Sequence, residues 1–297
     1  MTALAALIRD VFRQARATGL TATLLVITAA TALGCLTVEF TPAPDGATGV
    51  LTVMFGTVRV IDGVSHDVAV RYLQFLLAGV VADTLGVLLA LVWTAGFLPT
   101  FLDPSAASVL IAKPPGRVVL FLGRFVGVVV FVGVQAALFI AATAVILGLR
   151  TGVWGGGYWL CVPLLLVQFT VFFSFSALLA VTTRSTAGCL VGSILFWLVC
   201  WAMNYGRHTL VGLELTQATA ALTRSAEFGY WLLPKPVDFG LILYDALDAD
   251  RFVTPWVEFR RVQERGLFHP GWSVVSSVAF GAVLLALAVY EFVHEDY

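Results

Sequence analysis

Charged side chains divide this sequence into long apolar stretches. Between Arg16 and Glu39 lie 22 uncharged residues, between Asp83 and Asp103 19, and between Arg124 and Arg150 25. A further 22 separate Arg184 from Arg207, and 21 separate His269 from Glu291. The 33 residues between Arg150 and Arg184 are broken by Gly155-Gly156-Gly157, leaving one stretch from about Tyr158. A helix crossing the ~30 Å hydrocarbon core needs about 20 apolar residues at 1.5 Å each. The pattern therefore predicts six membrane-spanning helices, at about 18–38, 80–100, 120–148, 158–183, 186–205 and 271–291.

The segments between these stretches carry their own patterns. Residues 4 to 16 put Leu4, Leu7, Ile8, Val11, Phe12 and Ala15 on one helical face and Arg9, Arg13 and Arg16 on another. This predicts either a short interfacial helix on the membrane surface or a plain extension of the first span. Residues 39–72 form a first outer loop, in which GVLTVMFGTVRVI has the composition of a small hairpin. The larger outer loop, 206–270, has apolar residues at helical spacing over about 214–232 and 237–247, interrupted by Pro234 and Pro236. These pieces read as helices lying on or dipping into the outer leaflet. No linker, heptad run or repeat divides the chain, so 1–297 reads as a single transmembrane domain.

Composition agrees with an all-α polytopic membrane protein: 60% hydrophobic residues, 12% charged, and a mean hydropathy of +0.95. A net charge of −1 gives no reason to expect nucleic acid as a partner. Cys35, Cys161, Cys189 and Cys200 sit in apolar runs without metal-ligand spacing and read as small buried hydrophobes. Basic residues in short loops resist translocation. With the N-terminus inside, Arg9, Arg13, Arg16, Lys113, Arg117, Arg124 and Arg184 lie on the inner side, against Arg59, Arg71 and Arg150 in the short outer loops. That asymmetry places both termini in the cytoplasm and puts Trp154, Trp159, Trp201 and Trp272 toward the outer interface, as an aromatic belt.

Candidate chemistry is sparse. The four histidines, His66, His208, His269 and His294, fall in predicted loops or at the C-terminus, and no span carries paired carboxylates. There is neither an HExxH zinc motif nor a GxxxxGK[ST] phosphate loop. Asp83 is read as an interfacial residue at the outer mouth of the second span, with a proton-carrying role as the alternative. Gln135 and Gln168 stand at mid-span and are placed to hydrogen-bond each other. Gly123 with Gly127, and Gly188 with Gly192, are small-xxx-small pairs suited to helix packing. Between the second and third spans, Pro99 and Pro104 are expected to end one helix, residues 105–112 to form a short surface helix, and Lys113-Pro114-Pro115-Gly116-Arg117 to turn into the next. A stiff cationic loop of this kind is either a lever that a soluble partner moves or an ordinary hairpin with basic anchors.

The order of elements resembles the permease subunits of ABC type-2 exporters. The resemblance rests on Leu110, Ala112, Lys113, Pro114, Arg117, Gly123 and Arg124, and on Leu233-Pro234-Lys235-Pro236-Val237-Asp238 in the second outer loop. One departure is that Asp103 and then Pro104-Ser105 stand where many relatives carry a Glu-rich turn. The resemblance implies that residues 101–117 act as a coupling loop, with Asp103, Lys113, Pro114, Pro115, Gly116 and Arg117 contacting an ABC-type ATPase subunit. It further implies ATP bound by that partner and no cofactor or catalysis in this chain, a second permease subunit as homo- or heterodimer, and a place in the bacterial cytoplasmic membrane. A secondary carrier or channel and a non-transporting scaffold are the alternatives. A carrier calls for ionisable groups or broken helices at mid-membrane.

Overall fold

The computed structural model describes residues 3–44, 46–102, 116–213 and 220–295. Asp103, Lys113, Pro114, Pro115 and the surface helix expected at 105–112 lie outside the described residues, as do 214–219 of the segment expected to be helical from 214. Five helical stretches among the described residues are long and apolar enough to cross a membrane: His66–Phe101 (α3), Arg117–Thr151 (α4), Gly156–Thr183, Thr186–Gly212 (α6) and Pro270–His294. The third of these opens with a 3₁₀ turn, Gly156–Leu160, and continues as α5, Cys161–Thr183. A sixth candidate is α2, Leu20–Leu36, joined at a 73° bend to α1, Ala3–Ala17. Gly19 makes the corner at φ 75°, a left-handed conformation that glycine takes without steric cost. These helices mark the chain as a membrane protein.

The second apolar stretch departs most from expectation. Its helix begins at His66, so residues 66–72 belong to α3 rather than to an outer loop, and the span starts well before residue 80. Counting uncharged residues truncated it because the count began at Asp83, which lies within the helix; the earlier charges Asp67 and Arg71 stand on its first turns and pair with each other at 3.0 Å. Leu76–Leu85 is π-helical, and a turn at Ala95 and Gly96 breaks the run before its last turn, Phe97–Phe101. Pro99 thus lies inside that turn instead of ending the span, in a first-turn position where a missing N–H costs nothing. Asp83, expected at an interface, is buried on the π-helical segment. The fifth span runs on past 205 to Gly212, carrying Arg207 and His208 into the bundle with partners for both. The sixth extends to His294.

The segment expected to be the first outer loop holds a three-stranded antiparallel sheet, more than the hairpin expected and an exception to an all-helical fold. Its strands are β1 (Glu39–Pro42), β2 (Gly49–Val53) and β3 (Val58–Val64). Leu51, on the middle strand, is fully buried in a small core with Cys35, Val38, Ala69, Val70 and Leu147. The segment expected to be the second outer loop contains α7 (Ala220–Leu232), α8 (Pro236–Ala246) and α9 (Val257–Glu264), and the last helix, Pro270–His294, is α10. Lipid tails are as apolar as the core, so packing geometry decides how the spans associate. Stacked rings supply much of it: Phe125 on Phe173 at 5.1 Å and Phe121 on Phe292 at 5.1 Å join α4 to α5 and α10.

Candidate functional site

The bundle has a loop end, where α4 and α6 begin and α10 finishes, and a sheet end, where α7, α8 and α9 gather. At the loop end Gly116 precedes α4 with extended backbone, and its carbonyl accepts from the Leu120 N–H at 3.1 Å. Arg117 turns back onto the end of α10, its Nη1 donating to the Val293 carbonyl at 3.1 Å and the Glu295 carbonyl at 2.9 Å. Those oxygens belong to the last turn of a helix and have no partner within it. Glu295 is also ion-paired with Arg184.

Two turns further along α4, Arg124 is buried and reaches α1 instead of solvent. Its guanidinium pairs with Asp10 at 2.5 Å, donates to the Gln14 side-chain oxygen, and lies 5.7 Å from the centre of the Phe101 ring. Gly123 and Gly127 sit under the apolar face of α1. A β-carbon on Gly123 would run into Leu7, and one on Gly127 would meet Val11 at 2.9 Å and the backbone of Ile8 at 3.4 Å. The other glycine pair divides its work. Gly192 takes Leu179 of α5, whereas Gly188 donates its N–H to Ser185 Oγ at 3.2 Å and so closes the N-terminus of α6.

Sequence reasoning missed the sheet end, where a polar cluster is buried among four helices. Asp238, at the start of α8, is fully buried. Its Oδ1 accepts from His208 Nε2 at 2.7 Å and Asn204 Nδ2 at 2.8 Å, both on α6. Its Oδ2 accepts from Tyr230 of α7 at 2.7 Å and from Ser273 of α10. Asn204 Oδ1 in turn accepts the Val237 and Asp238 N–H groups at 2.9 and 3.2 Å, fixing the first turn of α8. Burial opposes the charge on Asp238, but the bonds from His208, Ser273 and Asn204 outweigh it and hold the carboxyl below its usual range.

Two cations flank the Tyr230 ring. Arg207 lies 4.4 Å from its centre and pairs with Glu227 at 3.1 Å, and Lys235 Nζ lies 4.9 Å from it. Lys235 is completely buried, donates to Ser276 Oγ at 2.6 Å and the Leu233 carbonyl at 3.3 Å, and is pushed by burial from 10.5 down to about 8. The cluster holds a Ser, a His and an Asp, but it is not arranged as a nucleophilic triad. Ser273 donates to Asp238 and not to His208, and the His208 ring, with Nδ1 unpartnered among the described residues, is fully enclosed. What the cluster can do is lock four helices together. Asn204 and His208, four residues apart on one face of an apolar helix, were the signal available in the sequence.

Within the spans, Gln135 and Gln168 do not hydrogen-bond each other, and the side-chain oxygen of each is buried without a partner among the described residues. Asp83 Oδ1 is likewise unpartnered there. Thr143 and Tyr158 pair at 2.9 Å between α4 and the entry to α5. Among the described residues no group of three or more His, Cys, Asp or Glu side chains is placed to hold a metal ion. No protein-family model matches the sequence, and no curated protein matches it.

Proposed function

We propose that this chain is the transmembrane permease subunit of an ATP-driven transporter of the ABC type-2 kind, working as a dimer, with ATP hydrolysed by a separate subunit seated on residues 101–117. In this reading the loop end faces the cytoplasm of a bacterial cell, and α7, α8 and α9 lie at the outer leaflet. The observation that carries it is the way the loop end is tied. Arg124 fastens α1 to α4, and Arg117 fastens α4 to the end of α10, both within the first turns that follow the loop. A partner that displaces the loop then moves three helices as one body, and it drives transport by binding the two arrangements unequally. Arg117 contributes to this mechanism as a tie within the chain, which leaves Lys113 and Asp103 as the contact residues to test.

The test is a photocrosslinker in place of Gly116, where a side chain meets open space, in cells. The expected product is a crosslink to a nucleotide-binding ATPase subunit, lost in a Lys113→Glu variant that still reaches the membrane. Labelling of Lys113 only from outside the cell overturns the proposal. One observation favours a second reading, a secondary carrier: Asp83 is a buried carboxyl with an unpartnered oxygen on a π-helical segment of a long apolar helix, and such groups in membranes serve function by default. Transport in liposomes containing no ATPase, abolished by Asp83→Asn, would select it.

A further inference from the structure

α2 packs against α1 and α4, and a cavity of about 110 Å³ remains between α2 and α3 over the middle of α4. Its wall includes Leu24 and Ile27 of α2, Leu89, Ala90 and Trp93 of α3, and Gln135 of α4. Ile27 and Leu89 are exposed on the bundle surface, so the rim faces the lipid side of these helices. The cavity is slightly smaller than an apolar one that holds benzene. One feature is foreign to a purely apolar pocket. Gln135 is nine-tenths buried, lines the space, and its side-chain oxygen has no hydrogen-bond partner among the described residues.

We propose that this cavity binds a lipophilic alcohol, with the hydroxyl group anchored on the Gln135 amide and the hydrocarbon chain between α2 and α3. A hydroxyl both donates and accepts, so it satisfies whichever end of the amide faces the cavity. Depth decides against an ordinary phospholipid. Gln135 stands 11 residues after Arg124 and 15 before Arg150, ~17 Å and ~22 Å from the two charges at 1.5 Å per residue, and so near the middle of the uncharged stretch. Headgroups and ester carbonyls stay at the interface, and the acyl chains that reach this level carry nothing to pair with an amide. A hydroxyl on a single hydrocarbon chain can descend to it because the amide replaces the water it gives up. The site requires only that α2, α3 and α4 border lipid and does not depend on an ATPase partner.

The test uses the full-length chain in phosphatidylcholine nanodiscs, without nucleotide or ATPase. The probes are a long-chain alcohol bearing a mid-chain diazirine and the matching alkane. The alcohol should label the peptides carrying Leu24 and Ala90 about tenfold more efficiently than the alkane, the consequence of one satisfied buried amide. Unlabelled alcohol should compete. Gln135→Leu should reduce the alcohol to the level of the alkane, and Ala90→Phe, which fills the space and leaves Gln135 in place, should suppress labelling by both. Equal labelling by the two probes overturns the proposal and makes the occupant an ordinary acyl chain or a water. So does an alcohol preference that survives Gln135→Leu, or labelling undiminished by Ala90→Phe. None of these outcomes bears on whether an ATPase binds the loop end.

Discussion

The two ends of this molecule are held together by different physics. At the sheet end Asp238 and His208 are fully buried, and four side chains from three helices converge on one carboxylate. At the loop end the ties are ion pairs with at least one partner in solvent: Asp10 is 63% exposed opposite Arg124, and Arg184 and Glu295 are 41% and 39% exposed. A buried charge that loses its partners cannot recover them from water, whereas an exposed one can. The sheet end is therefore built to resist rearrangement and the loop end to tolerate it.

Breaking the knot should have the largest effect. Asp238→Ala is expected to cost about 3–5 kcal/mol of stability, read by detergent unfolding of the purified protein. A loss below about 1 kcal/mol would remove the contrast between the ends. Next comes Gly157→Ala at the same end, where a β-carbon would collide with the Ala246 carbonyl. A collision with backbone is relieved only by moving α8, at about 1–3 kcal/mol.

The knot also predicts a pH dependence. Lys235 titrates near 8 when folded and 10.5 when unfolded. Between those values the unfolded chain binds the extra proton, so stability should rise as pH climbs from 8 to 10.5. Lys235→Met should abolish that rise in the same unfolding assay. Asp238 has linkage of the same sign, in the acid range. Its carboxyl is held below its ordinary range, so its contribution is present at neutral pH and is lost as pH falls through the folded value.

Arg124→Met probes the loop end. It should release α1, seen as several-fold faster thiol labelling of a Leu7→Cys reporter, with about 1 kcal/mol or less lost from the bundle because the freed Asp10 returns to water. The smallest effect is expected for Glu295→Gln. Removing an exposed pair should change stability by about 0–1 kcal/mol while loosening the C-terminal segment toward proteolysis.

Much of the fold was legible in the order of residues because it is local. The arginine face of α1, the uncharged runs and the triple glycine before Tyr158 each report on the few residues around them. The glycines at 123 and 127 announced a close approach, though not that α1 would fill it. The rule that charges end spans failed at Asp83, which lies buried within α3, and again over 207–212, where Arg207 and His208 find partners once the chain is folded. The candidate site was less legible for the same reason. Asp238 lies 34 residues from Asn204 and 35 from Ser273, and nothing at one position specifies the other.

Sequence by itself determined that this chain forms long apolar helices, where most of them lie, and that its first helix has one apolar and one charged face. Periodicity and chain length suffice for that, since backbone groups in an apolar medium must be satisfied within the helix. Only the tertiary structure decided that Arg117 and Arg124 face inward, that Gln135 borders an unfilled space, and that His208 belongs to a knot and not to a loop. Those outcomes depend on which helices become neighbours, and in a bilayer that choice rests on shape and hydrogen bonding between distant residues.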